Sequence, residues 1–428
     1  MKHTVKKISL KGGAKGLIVH VPGATVMTLE FQFIAGEFLV PKKKWEVPHL
    51  MEHMLLGANE RYPKARLFQQ EFEKNGAYCN ASTGAYGISY VAECADFEWE
   101  RITDLLLLAI TKPKFLEQEY KGEFGNVEEE LISRHNNYFR QLSLAMRKAY
   151  GLYAETDKER IELMKNIELK DIVNHYKKTH SAQNMRFIIA GNIPPGKEKK
   201  IKNMIEQSHF ASDTERIAMP DEMPKMLKAP LVIENKTVEN LHFYIDIIMN
   251  SPIKKPADRY AIGAVNHLLT GTLYSRILGE AREKGWAYSL SSDMSYNKDF
   301  SVWWFGGQIS RKNIRGIFDI IVKEIKDIQA GNITDEEIDR AKDYALGSFQ
   351  RGGQTVGSIA GSYSWKYYYE NSLIKYDKIP ELIRGVTKEQ CVTMARKILK
   401  DQTWSIGFLG TVDKELIEEL ESKIKTIF

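Results

Sequence analysis

The same succession of segments occurs twice along this chain, and that repetition limits its fold more than any other feature. Thr28–Ala35 alternates apolar and polar residues as a half-buried strand does, and Asn240–Ile248 alternates in the same way about two hundred residues later. Arg66–Gly76 (RLFQQEFEKNG) matches Arg276–Gly285 (RILGEAREKG), with strand-like sequence after both. Phe115–Glu119 and Ile333–Glu337 each open an amphipathic helix with acidic residues at its start. Two homologous α+β halves account for these matches. The polar stretch 211–225, punctuated by Pro220 and Pro224, reads as the join, giving domains 1–219 and 220–428. Arg351–Ser358, rich in glycine, reads as a loose connection between two helices, the alternative being a mobile loop that touches a substrate.

Size and composition agree with this division. At 428 residues the chain exceeds one ordinary core, and 43% hydrophobic with 27% charged residues is a globular balance. A net charge of +5 gives no case for nucleic acid or an acidic membrane as partner. Cys79, Cys94 and Cys391 are odd in number and lack C-x-x-C spacing, so neither a disulfide framework nor a thiolate metal site is expected, only free thiols in a reducing compartment. No stretch approaches 18 uncharged apolar residues, and the basic N-terminus has no apolar segment behind it. The expectation is a cytoplasmic protein without a membrane span.

One pentad carries chemistry. In His49-Leu50-Met51-Glu52-His53 the two histidines are four apart, so on a helix they lie one above the other and can share a metal ion, with Glu52 alongside. Imidazoles suit zinc, and a catalytic zinc takes three protein ligands while a neighbouring carboxylate takes a proton from the attacking water. With 10 histidines and 56 acidic residues, chance would supply only about 0.03 such pentads. Two unrelated histidines remain the bland alternative. The order is H-x-x-E-H, the inverse of H-E-x-x-H, and Pro48 precedes it where a first helical turn tolerates proline. A third ligand is still required, and the acidic stretch Glu123–Glu130 on another helix is the place to seek it, although alone it would read as a solvated helix face.

Here the chain resembles the pitrilysin and insulinase-type zinc metallopeptidases, in particular their short two-domain, processing-peptidase-like members. In that family a glutamate follows the second histidine by 77 residues, as Glu130 follows His53, and another stands seven earlier, as Glu123 does. The resemblance implies Zn2+ held by His49, His53 and Glu130, Glu123 orienting a ligand histidine, and Glu52 as general base. His53-Met-Leu-Leu-Gly-Ala-Asn59 is close to the family's H-M-L-F-x-G-T, with departures at Leu56 and at Ala58-Asn59. Asn80-Ala-Ser-Thr83 matches its N-A-x-T segment, which opens a strand whose free edge takes up an extended peptide; Asn80, Ala81 and Ser82 are the substrate-binding residues so implied.

The resemblance also implies two homologous domains, each a mixed or antiparallel sheet covered by helices, forming half of a clamshell. Carrying the internal match forward sets Ala341 opposite Glu123 and Ser348 opposite Glu130, so only the first half is expected to hold metal. The second half would supply Arg282 and Tyr288 to the substrate, matching an R-E-K-x-G-L-A-Y segment. The chain is one residue short there: Tyr288 keeps its distance from Gly285, while Arg282 is turned by about 100° around its helix. Such chains pair, so a homodimer or a heterodimer with a related chain is expected, closing a chamber that admits unfolded peptides. The implied activity is zinc-dependent endopeptidase; the alternative is a non-catalytic scaffold or partner subunit.

Overall fold

The computed structural model describes residues 2–210, 215–400 and 402–428 and falls into two compact units, each built on one sheet. The first comprises Met1–Arg134, Asp157–Pro220 and Arg351–Leu373. Its strands are β1 (Thr4–Ser9), β2 (Lys15–His20), β3 (Val26–Phe33), β4 (Tyr78–Thr83), β5 (Ile88–Ala95) and β6 (Met185–Gly191), ordered β1-β2-β6-β3-β5-β4. Only β2 and β6 run parallel. The helices of this half of the chain are α1 (Val47–Leu55), α2 (Ala65–Glu73), α3 (Trp99–Thr111), α4 (Glu117–His135), α5 (Tyr138–Ala149), α6 (Asp157–Met164), α7 (Leu169–Thr179) and α8 (Pro195–Gln207). Leu29, Phe31 and Phe33 of β3 and Met185 and Phe187 of β6 meet Leu50, Leu106, Val127, Ile172 and Ile201 of these helices in one continuous core.

The second unit comprises His135–Thr156, Asp221–Gln350 and Ile374–Phe428. Its strands are β7 (Leu231–Glu234), β8 (Leu241–Met249), β9 (Leu290–Tyr296), β10 (Ser301–Ile309) and β11 (Gln402–Gly410), ordered β7-β11-β8-β10-β9. This order repeats β2-β6-β3-β5-β4 strand for strand, down to the single parallel pair. The second half of the chain adds α9 (Pro256–Thr270), α10 (Arg276–Glu283), α11 (Ile314–Ala330), α12 (Asp335–Gly352), α13 (Val356–Glu370), α14 (Ile379–Arg384), α15 (Lys388–Ile398) and α16 (Lys414–Lys425). The expected α+β fold, with two domains that each carry a mixed sheet covered by helices, is therefore what is observed.

Each unit also takes one helix from the other half of the sequence. α13 lies on the first sheet, where Ser364 Oγ donates to Glu30 at 2.9 Å and Gln32 Nε2 donates to the Tyr369 hydroxyl at 3.1 Å. α5 lies on the second, packing Leu142 and Met146 against Ile248 and Leu409. Gly407 on β11 makes that approach possible, since a Cβ there would stand 2.4 Å from Met146 Sδ. The alternation in Thr28–Ala35 and Asn240–Ile248 predicted strands with one face in water. Instead Thr28, Gln32 and His242 are buried, because an exchanged helix covers the polar face of each strand.

Of the stretch taken as the join, residues 211–214 lie outside the described residues, and the rest forms neither helix nor strand. The glycine-rich connection spans the end of α12 and the start of α13, where Thr355 accepts the Ser358 N–H at 3.0 Å as an N-cap. Cys94 and Cys391 are buried, Cys79 is half-buried, and all three are free. Among the described residues no helix is long and apolar enough to cross a membrane.

Candidate metal centre

The pentad forms the middle of α1. Glu46 is its N-cap residue, Pro48 lies in its first turn, and every residue except His53 is buried. Leu50, Met51, Met54 and Leu55 enter the core, which fixes the rotation of the helix and so the direction of its polar residues. α4 is anchored more sparingly, burying only Val127 and Leu131. Glu123 and Glu130 are two turns apart and flank Val127, so the face that anchors α4 also carries both carboxylates.

These two helices bring His49, His53 and Glu130 together, with one ligand atom from each lying within 4.8 Å of the others. Glu130 Oε2 stands 3.3 Å from His49 Nε2 and 3.4 Å from His53 Nε2. The rings are 5.0 Å apart at 80°. Each imidazole is held from behind through Nδ1: His49 by Glu46 at 2.9 Å and His53 by Glu123 at 3.0 Å. Both Nε2 atoms are thereby directed at one point, as outer carboxylates orient ligand histidines elsewhere. Among the described residues this is the one group of three such side chains that closes together.

The charges are consistent with a cation-binding pocket. Burial works to lower the His53 pKa, but Glu123 and Glu130 outweigh it and hold the imidazolium up to about 9. Burial likewise opposes protonation of His49, and its bonds to Glu130 and Glu46 prevail. Glu130 is held well below the usual carboxylate range by His49 and His53.

Three supporting residues were not picked out from the sequence. Thr83, at the end of β4, donates to Glu52 Oε2 at 2.6 Å. Glu46 supports His49, and Arg160 on α6 grips Glu46 through Nε and Nη2 at 2.5 and 2.9 Å. Glu46 lies three residues before His49, a helical spacing open to inspection; nothing local signals Arg160.

The proposed substrate residues Asn80, Ala81 and Ser82 do not open a strand, as expected, but lie toward the end of β4, which stops at Thr83 before β5 begins at Ile88. Among the described residues β4 pairs only with β5 and is one of the two edges of the first sheet. Tyr78, Asn80 and Ser82 expose their side chains, and Cys79, Ala81 and Thr83 face inward. In the second unit, Arg282 Nη1 donates to the Tyr288 carbonyl at 2.6 Å and its guanidinium stands 4.9 Å from the ring centre. Tyr288 is 86% exposed, so Arg282 is a principal constraint on it. Ala341 and Ser348, the counterparts of Glu123 and Glu130, line an apolar cavity with Tyr260, His267 and Tyr344.

Two imidazoles whose Nε2 atoms face a shared carboxylate suit zinc, and three such donors beside a further carboxylate outside the cluster are the donor set of a zinc hydrolase. An insulinase (peptidase family M16) model matches residues 18–159 and a peptidase M16 inactive-domain model matches 166–344. The chain belongs to the M16 peptidase family. It is 21% identical to an uncharacterized zinc protease of Streptomyces coelicolor, over 98% of this chain and 93% of that one. It is 19% identical to the beta subunit of the mitochondrial-processing peptidase of Neurospora crassa, over 95% and 87%. A protease from Helicobacter pylori shares the fold with a TM-score of 0.84 at 19% identity, covering 95% of this chain and all (100%) of that one. The peptidase M16 inactive domain from Pseudomonas fluorescens aligns with a TM-score of 0.81 at 19% identity, over 96% and 99%.

Proposed function

We propose that this chain is a zinc-dependent endopeptidase acting on unfolded peptides. The observation that carries the reading is the closure of His49, His53 and Glu130 beside Glu52, which bonds to Thr83 and to none of the three ligands. Zinc held by those ligands would polarise the scissile carbonyl and acidify the attacking water. Glu52 takes the water's proton and delivers it to the leaving amine. The open edge of β4 gives main-chain hydrogen bonds to an extended peptide around Asn80, Ala81 and Ser82, which favours flexible substrates over folded ones. Tyr288, steadied by Arg282, is the donor to the developing oxyanion, supplied by a paired second copy or a related chain.

The test is cleavage of a flexible peptide by the purified protein, before and after zinc is removed and restored, with Glu52→Gln alongside. Cleavage that depends on zinc and vanishes in Glu52→Gln, while that variant keeps its zinc, is expected. Wild-type turnover by Glu52→Gln would remove Glu52 as base. Zinc binding without cleavage of any peptide, even with a related chain added, would favour a scaffold subunit.

A further inference from the structure

We propose that Glu46, clamped by Arg160, is the positioning residue for His49, so that α6 sets the aim of the metal-binding face of α1. The inference rests on the metal reading above. An acceptor side chain at an N-cap can take a backbone N–H of the first turn, as Asp, Asn, Ser and Thr commonly do. Glu46 makes no such capping bond; its carboxylate turns to His49 Nδ1 at 2.9 Å instead. The side chain is fully buried, and a buried carboxylate is costly unless its charge is matched. Arg160 matches it with two parallel bonds, at 2.5 and 2.9 Å, a fork geometry that fixes the plane of the carboxylate as well as its charge. Arg160 is itself held in place, with Asp157 at 3.7 Å and Glu37 at 3.9 Å. The chain of restraint runs from α6 through Arg160 and Glu46 to His49, leaving Nε2 as the one ring nitrogen free to ligate. His53 has a looser support, since Glu123 is about a quarter exposed and shares its oxygen with Asn126 at 3.1 Å.

The experiment measures zinc affinity of the full chain by competition with a chromophoric chelator, for wild type, Glu46→Gln and Arg160→Lys. The absorption of the cobalt-substituted proteins and the melting of the zinc-free proteins accompany it. Glu46→Gln is expected to weaken zinc about 10–100-fold and to shift the cobalt bands, the size of effect typical of an outer-shell partner. Arg160→Lys, which keeps the charge but loses the fork, should move both readouts the same way. A folded Glu46→Gln with zinc affinity within about twofold of wild type and an unchanged cobalt spectrum would overturn the proposal. If Glu46→Gln does not fold, the same two readouts on Arg160→Lys decide, unchanged values again overturning it. A wild-type chain that takes up no zinc would instead sink the metal reading itself, and this inference with it.

Discussion

The Thr83 hydroxyl donates a 2.6 Å hydrogen bond to Oε2 of Glu52, joining the last residue of the edge strand β4 to the acidic residue of the pentad. Glu52 is the one polar group of the pentad that no other carboxylate or ligand restrains. Strand and carboxylate are therefore placed by the same contact, and under the proposed function a peptide added to β4 would arrive in fixed register with Glu52.

Thr83→Val keeps the shape and the strand preference of the side chain and removes only the donor. A hydrogen bond to a charged group is worth about 1.5–3 kcal/mol. If most of that is needed to hold Glu52 for proton transfer, kcat falls roughly 10–100-fold. Zinc content should not change, because Thr83 touches no ligand. Steady-state kinetics with metal analysis checks both, and an unaltered kcat would show that Glu52 is placed by its helix alone.

Glu130 and Glu123 should separate by degree. Glu130→Gln replaces the charged carboxylate that faces both imidazoles with a neutral, weakly donating amide and leaves Arg134 without its charged partner one turn on, so zinc retention under chelator challenge should be lost. Glu123→Gln leaves all three ligands and loosens only His53, for a weakening of about 10–100-fold. Equal losses in the two variants would contradict the division into ligand and support.

The parts of this site legible in the sequence are those set by helix geometry or implied by the family resemblance. His49 and His53 four apart share a face on any helix, whereas Glu123 and Glu130 came from the family resemblance, with which their seven-residue spacing agrees; the alternations located one strand in each sheet. Contacts between elements beyond those the resemblance implied were not legible. Arg160 reaches Glu46 across 114 residues of sequence, and Thr83 reaches Glu52 across 31; neither spacing carries information until the sheet and helices are packed. The exchange of α5 and α13 was equally hidden, because an amphipathic face states that a helix needs a cover and does not say which sheet supplies it. Thr28, Gln32 and His242 read as solvent-facing for the same reason.

Acid should destabilise the first unit through His175. Burial lowers its pKa to about 4, and its Nε2 donates to the Ala35 carbonyl at 2.8 Å, so the native ring is neutral. The unfolded chain takes up a proton near 6.5 that the native state refuses. Stability is thus whole above pH 6.5 and declines as pH falls toward 4, by up to about 3 kcal/mol at roughly 1.4 kcal/mol per pH unit. Burial drives His180 in the same direction. His175→Gln keeps a donor for Ala35 without the titration, so its urea midpoint should fall less between pH 7.5 and pH 5 than that of wild type. Parallel slopes would place the acid sensitivity elsewhere.

Arg282 and Tyr288 should behave as one unit in catalysis. The guanidinium bonds the Tyr288 carbonyl at 2.6 Å and stands 4.9 Å from its ring centre, so removing it releases an otherwise exposed tyrosine. Deleting a donor to a developing oxyanion typically lowers kcat about 10²–10³-fold, which is the loss expected of Tyr288→Phe. Arg282→Ala should cost less, because a free Tyr288 still visits its productive position. The double variant should then be no worse than Tyr288→Phe alone, since Arg282 has nothing left to position once the hydroxyl is gone. The four values of kcat/KM from wild type, both single variants and the double variant complete the cycle. Additive losses would mean that Arg282 meets the substrate on its own account, and the one-residue shortening before Gly285 would then have left its reach intact.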